Sequence, residues 1–136
     1  MFVYYQDAVW YFSCKSAIFS TQEFDAYLKS VIADPQILKV GHDCKKLLRA
    51  LIPSGIIPSG FDFDVMIAAY LINASRAQFG LVDLAWEYEQ KNIDVTALTP
   101  AQAVLLIERL HAKMAAELEK NGLVELFKTI EMPLVS

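Results

Sequence analysis

Residues Ile37-Leu38-Lys39-Val40-Gly41-His42-Asp43-Cys44-Lys45-Lys46-Leu47 decide the fold class. Ile37 to Gly41 reads as a short strand, and the helix after it is expected from about Asp43 to Leu51, ahead of the turn Pro53-Ser54-Gly55. A second turn, Pro58-Ser59-Gly60, leads to a brief strand at Phe61 to Val65 and a largely apolar helix at Met66 to Ile72. Strand, helix, strand, helix is the order of an α/β sheet.

Upstream, Phe2 to Tyr5 and Val9 to Cys14 are rich in aromatic and β-branched residues, with Gln6-Asp7-Ala8 between them, the pattern of a β-hairpin. Ser20-Thr21-Gln22-Glu23 fits a capping box, and Phe24, Tyr27, Leu28, Val31 and Ile32 then form one apolar helix face that Asp34-Pro35 ends. Downstream, Leu81, Leu84, Ala85 and Tyr88 mark another helix. Thr99-Pro100-Ala101-Gln102 combines a cap, a proline at the first helical position and a residue to close the box. The helix it opens is expected to reach Asn121-Gly122, where glycine suits the left-handed C-terminal turn. No internal repeat or low-complexity stretch interrupts this order, so one domain over residues 1–136 is expected.

Composition narrows the function classes. The chain has 136 residues, 55% hydrophobic and 21% charged, which supports a packed core and argues against disorder. Sixteen acidic and twelve basic residues leave a net charge of −4, which offers no broad cationic face for autonomous, tight DNA binding. No apolar run reaches the roughly 18–20 residues of a membrane span. Met1 to Trp10 lacks the basic segment and small-residue cleavage site of a signal peptide. Cys14 and Cys44 make no disulfide framework, so a soluble protein of the reducing cytoplasm is expected.

Three segments together resemble the 3′–5′ exonuclease domain of bacterial DNA polymerase I, in family A. Lys39 to Leu47 is similar to K-x-G-x-N-x-K-x-D, and Phe63 to Asn73 to F-D-T-M-L-x-x-Y-x-L-N. Phe127-Lys128-Thr129-Ile130-Glu131-Met132-Pro133-Leu134-Val135 is similar to F-x-x-I-E-M-P-L-V, the family's junction to its polymerase domain. The resemblance implies an α/β, RNase H-like fold of the DEDD exonuclease type, a mixed sheet flanked by helices. It also implies a first strand that would precede the hairpin and is missing from this chain. That strand is central in the family, so two open sheet edges and a rearranged sheet, a domain swap or a dimer are expected.

Active members of the family hydrolyse a terminal phosphodiester with two metal ions, which needs several convergent carboxylates. By resemblance, the carboxylate of the second motif falls on Leu47. Counting back from His111-Ala112-Lys113-Met114, similar to the family's H-x-K-M, puts that of the third motif on Ala103 and its tyrosine on Thr99. No catalytic, metal or cofactor residue is therefore expected, with Mg2+ expected for the parent polymerase alone. The reading is a vestigial, proofreading-inactive exonuclease-like domain, a scaffold beside the polymerase domain of the same parent chain. Contact with that domain is expected on the last helix, Leu123 to Ile130, and contact with DNA through the parent protein.

The rival reading is an active nuclease that uses Asp43, Asp62 or Asp64 as relocated ligands. Against it, Asp43 and Asp64 each stand at a helix start and are read as N-caps. His42-Asp43-Cys44 are adjacent, whereas a zinc site wants spaced ligands. Lys45, Lys46 and Arg49 form a small basic cluster read as a solvated face. His111 lacks a nucleophile partner and is read as surface or half-buried, and Leu106, Leu110 and Met114 as core. No Gly-rich phosphate loop is present.

Overall fold

A computed structural model of the chain describes residues 2–5, 8–11 and 21–135. The aromatic, β-branched N-terminus forms the hairpin its composition dictates. Strands β1 (Phe2–Tyr5) and β2 (Ala8–Tyr11) pair antiparallel, Phe2 opposite Tyr11 and Tyr5 opposite Ala8. The continuation expected to Cys14, and the Ser20 cap, lie outside the described residues. Helix α1 (Thr21–Ala33) stops before Asp34-Pro35, as the restriction ahead of proline requires. Ile32 is buried, but Tyr27, assigned to the apolar face, is half exposed.

Strand β3 (Lys39–Gly41) leads to helix α2 (Cys44–Leu51), and strand β4 (Phe61–Asp64) to helix α3 (Val65–Ile72). β3 and β4 pair in parallel, with Lys39 opposite Phe61 and Gly41 opposite Asp64. Gly60, at φ 74°, makes the turn into β4; a Cβ there would lie 2.6 Å from the Ile37 carbonyl oxygen, so the position accepts little but glycine. Antiparallel and parallel pairing are thus both present, in two separate two-stranded sheets among the described residues.

Helix α4 (Leu81–Glu89) and helix α5 (Pro100–Lys120) complete the layer. α5 packs against β1, β2 and β3 as well as α3 and α4, which makes it the element that joins the two sheets. Its start is the box the sequence shows: Gln102 N donates to Thr99 Oγ1 at 3.3 Å and Thr99 N to Gln102 Oε1 at 2.9 Å. Leu106, Leu110, Met114 and Leu118, each fourth in turn, are buried. The core unites them with Cys44, Phe63, Val65, Ala68, Ala69, Leu84, Ala85 and Phe127.

After Gly122, at φ 68°, the chain departs from a simple last helix over Leu123 to Ile130. A short α-helical turn, α6 (Val124–Leu126), passes into a π turn (Phe127–Glu131) and then a 3-10 turn (Met132–Leu134). The Met132 N–H donates to the carbonyl of Phe127, five residues back, so both side chains point inward, 6% and 1% exposed. A regular α-helix would not keep residues five apart on one face.

Candidate functional site

In open parallel sheets ligands bind beyond the carboxyl ends of the strands, so Gly41 to Cys44 and Asp64 define the first place to search. Asp64, last residue of β4, is fully buried. Its carboxylate accepts from Met66 N at 2.8 Å and Ile67 N at 3.4 Å, the expected cap of α3. It also accepts from Cys44 N at 2.7 Å and Asp43 N at 3.2 Å, the free amides at the start of α2. One buried carboxylate therefore ties both strand-to-helix junctions together and neutralises two positive helix ends.

This corrects the role expected of Asp43. Asp43 does occupy the N-cap position of α2, but with φ 52° and ψ 52° and with no side-chain cap bond. In that left-handed conformation the Asp64 carboxylate, arriving from the neighbouring strand, takes the cap's place. The sequence signal for the long-range half of this arrangement is weak, since it spans 20 residues of chain.

Among the described residues, His42, Asp43 and Cys44 do not come together as a metal-binding group. Carbonyl oxygens only accept, so His42 Nε2 carries the proton donated to the Phe79 carbonyl at 2.8 Å. Cys44 is buried, and burial pushes its thiol up, with Asp64 adding in the same direction. Asp62 is half-buried two residues before Asp64 on β4. Lys45, Lys46 and Arg49 are exposed, and Lys45 Nζ reaches the Leu134 carbonyl at 3.5 Å. His111 is half-buried, its ring 4.5 Å from that of Phe63.

Leu47 is 46% exposed on α2, Ala103 is partly buried on α5, and Thr99 is the α5 cap. A leucine and an alanine offer no oxygen to a hard divalent cation. Among the described residues no three His, Cys, Asp or Glu side chains come together as a metal site needs.

Two polar networks lie elsewhere, and sequence reading missed both. Arg76 holds the Glu87 carboxylate with two nitrogens and donates to the Ala69 carbonyl at the end of α3. Tyr88 then donates to Glu117 at 2.8 Å, which carries the link from α4 to α5. Glu89, its side chain 4% exposed, takes a forked bond from Arg109, with Lys91 at 3.4 Å. Arg109 above all holds its carboxyl down to about 2. A cavity of about 370 Å³ opens beside this pair, between Ile93, Leu98, Leu106 and Arg109, but Glu89 already engages both cations on its rim.

Comparison with known proteins agrees with this architecture. Residues 1–97 match the family described as DNA polymerase I, ribonuclease H-like domain. DNA polymerase I of Bacillus subtilis (strain 168) is 30% identical over 110 residues, covering 68% of this chain and 12% of that protein. DNA polymerase I of Mycobacterium bovis is 33% identical over 85 residues, covering 62% of this chain and 9% of that protein. The chain thus spans only a small part of these relatives. A solved structure, the POL domain of Pol1 from M. smegmatis in complex with DNA primer-template and dNTP, superposes with a TM-score of 0.75 at 27% identity. That match covers 83% of this chain and 20% of the other. With its paired strand-to-helix units, its long α5 and these relatives, the chain belongs to the ribonuclease H-like domain family of DNA polymerase I.

Proposed function

We propose that this domain has no nuclease chemistry of its own and acts as a scaffold for the polymerase domain of a bacterial, cytoplasmic DNA polymerase I in replication and repair. The observation that carries the reading is the substitution of apolar residues, Leu47 and Ala103, where active relatives need carboxylates. The fate of the remaining acids supports it. Asp64 is buried and bonded to four backbone amides, and Asp62, two residues before it on the same face of β4, is half-buried. The Asp64 carboxylate, fully buried, aims no lone pair at solvent for a metal.

The polymerase domain is the partner, with DNA reached through it and Mg2+ belonging to its chemistry. Leu126, Ile130 and Leu134, at four-residue spacing on the outer side of the C-terminal helical segment, are 37%, 53% and 64% exposed. Such an apolar stripe suits a covering domain. It extends the expected contact surface beyond Ile130 to Leu134. Among the described residues no helix is long and apolar enough to cross a membrane.

The test is digestion of a 5′-labelled single-stranded oligonucleotide with excess Mn²⁺, beside Asp43→Ala protein prepared identically. No shortening beyond the control is expected. Shortening from the 3′ end that Asp43→Ala abolishes would establish relocated ligands and overturn the reading.

A further inference from the structure

The chain has three asparagines, and only Asn121 is followed by glycine. Asn73 precedes Ala74, and its side-chain oxygen accepts from Ser75 N at 3.1 Å and Ser75 Oγ at 2.6 Å. Asn92 precedes Ile93, whose β-branched side chain packs against the core. Asn121 and Gly122 are both exposed, and a Cβ on Gly122 would meet nothing within 4 Å. Among the described residues the Asn121 side chain has no hydrogen-bond partner. Two backbone bonds close the turn. Gly122 N donates to the Glu119 carbonyl at 3.1 Å and Leu123 N to the Leu118 carbonyl at 2.8 Å, the pair that ends a helix on a left-handed glycine. The first bond occupies the Gly122 amide, and ψ 0° at Asn121 turns that nitrogen away from the Asn121 side chain.

We infer that Asn121 is a site of spontaneous covalent modification, gated by the turn that closes α5. Helix ends open at little cost compared with the core, and opening frees both the Gly122 amide and the Asn121 ψ. The freed nitrogen gives its proton to solvent base and attacks Asn121 Cγ. A C–N bond forms, the Cγ–Nδ2 bond breaks, and Nδ2 leaves as ammonia with a proton from water. Water then opens the five-membered imide at either carbonyl, giving aspartate or its isomer linked through the side-chain carbonyl. No atom changes oxidation state. Glycine matters because it lacks the Cβ that crowds the nitrogen after Asn73 and Asn92. Either product puts a carboxylate at the negative end of α5, in a turn that already holds Glu117 and Glu119, and the isomer adds a carbon to the main chain there. The change falls on the joint between α5 and the C-terminal segment that carries Leu126, Ile130 and Leu134. The inference does not depend on the nuclease assay, which reads a different property.

Incubating the intact chain at mildly alkaline pH, native and in urea, followed by peptide mass spectrometry, reads the amide-to-acid mass gain at each asparagine. In the native chain Asn121 is expected to convert ahead of Asn73 and Asn92, about tenfold more slowly than in urea, because one helix end must open first. In Asn121→Gln, which would need a larger ring, the same peptide should gain no mass. A native chain that converts first at Asn73 or Asn92, that converts Asn121 as fast as the urea sample, or that leaves Asn121 intact would overturn the proposal.

Discussion

Removing the Asp64 carboxylate tests the central claim about this fold, that one side chain holds two helix starts. In Asp64→Ala the amides of Asp43, Cys44, Met66 and Ile67 lose their common acceptor at a fully buried position. Each lost cap costs about 1 kcal/mol, and donors left buried without an acceptor add about 1–3 kcal/mol, for a total of about 3–5 kcal/mol. Domains of this kind are stable by about 5–15 kcal/mol, so the variant folds marginally, with Tm lower by about 10–20 °C. Asp64→Asn is the sharper probe. Its carbonyl can serve the amides that now share Oδ1, but its NH2 group confronts the Cys44 N–H where Oδ2 stood. A loss of about 2–3 kcal/mol is expected, smaller than for alanine. Urea unfolding followed by far-UV circular dichroism, at one low protein concentration, measures both. A loss under about 1 kcal/mol for Asp64→Ala would refute the reasoning.

Other perturbations reach separate parts of the molecule. The Glu89 carboxyl is depressed in the folded state, to about 2 against a usual 4.5, so its contribution is full above pH 4.5 and is lost as pH falls toward 2. The urea midpoint should decline across that window, and Glu89→Gln should flatten the decline. Arg76→Lys keeps the charge but loses the fork on Glu87, and should lower stability by about 1–2 kcal/mol in the same assay. Thr99→Ala removes the α5 cap and should cost about 1 kcal/mol, seen as a lower melting temperature. Cys44, buried and with its thiol pushed up, should resist iodoacetamide in the folded protein and react in urea, as read by peptide mass spectrometry.

How much of this was legible in the sequence depends on the range of the interaction. The Thr99–Gln102 box and the Gly122 turn are local chemistry, in which the residue types and the structure lie within one helical turn of each other. So is the Asp64 cap of α3. Its bond to the start of α2 is not, because nothing in residues 42–47 reveals that an acid from the next strand will arrive there. Asp43 satisfied every local rule for a cap and still does not cap, since its backbone adopts the left-handed conformation. The Arg76 and Glu89 clusters were hidden for the same reason, with partners 11 and 20 residues away. The positions of Leu47 and Ala103 could be read from motif register, whereas their exposure could not.

The π turn at Phe127–Glu131 has a consequence for length variation. Its widened loop stores one residue more than an α-helix needs between its inward anchors, Phe127 and Met132. Deleting Thr129 would let the turn relax to ordinary helical spacing, with both anchors still facing the core and the residues beyond Met132 still in phase. The same deletion inside α5 would swing every later side chain by about 100° around the axis. The C-terminal segment thus behaves as an expansion joint, able to shed a residue between two fixed points without turning its outer face away from whatever lies against it.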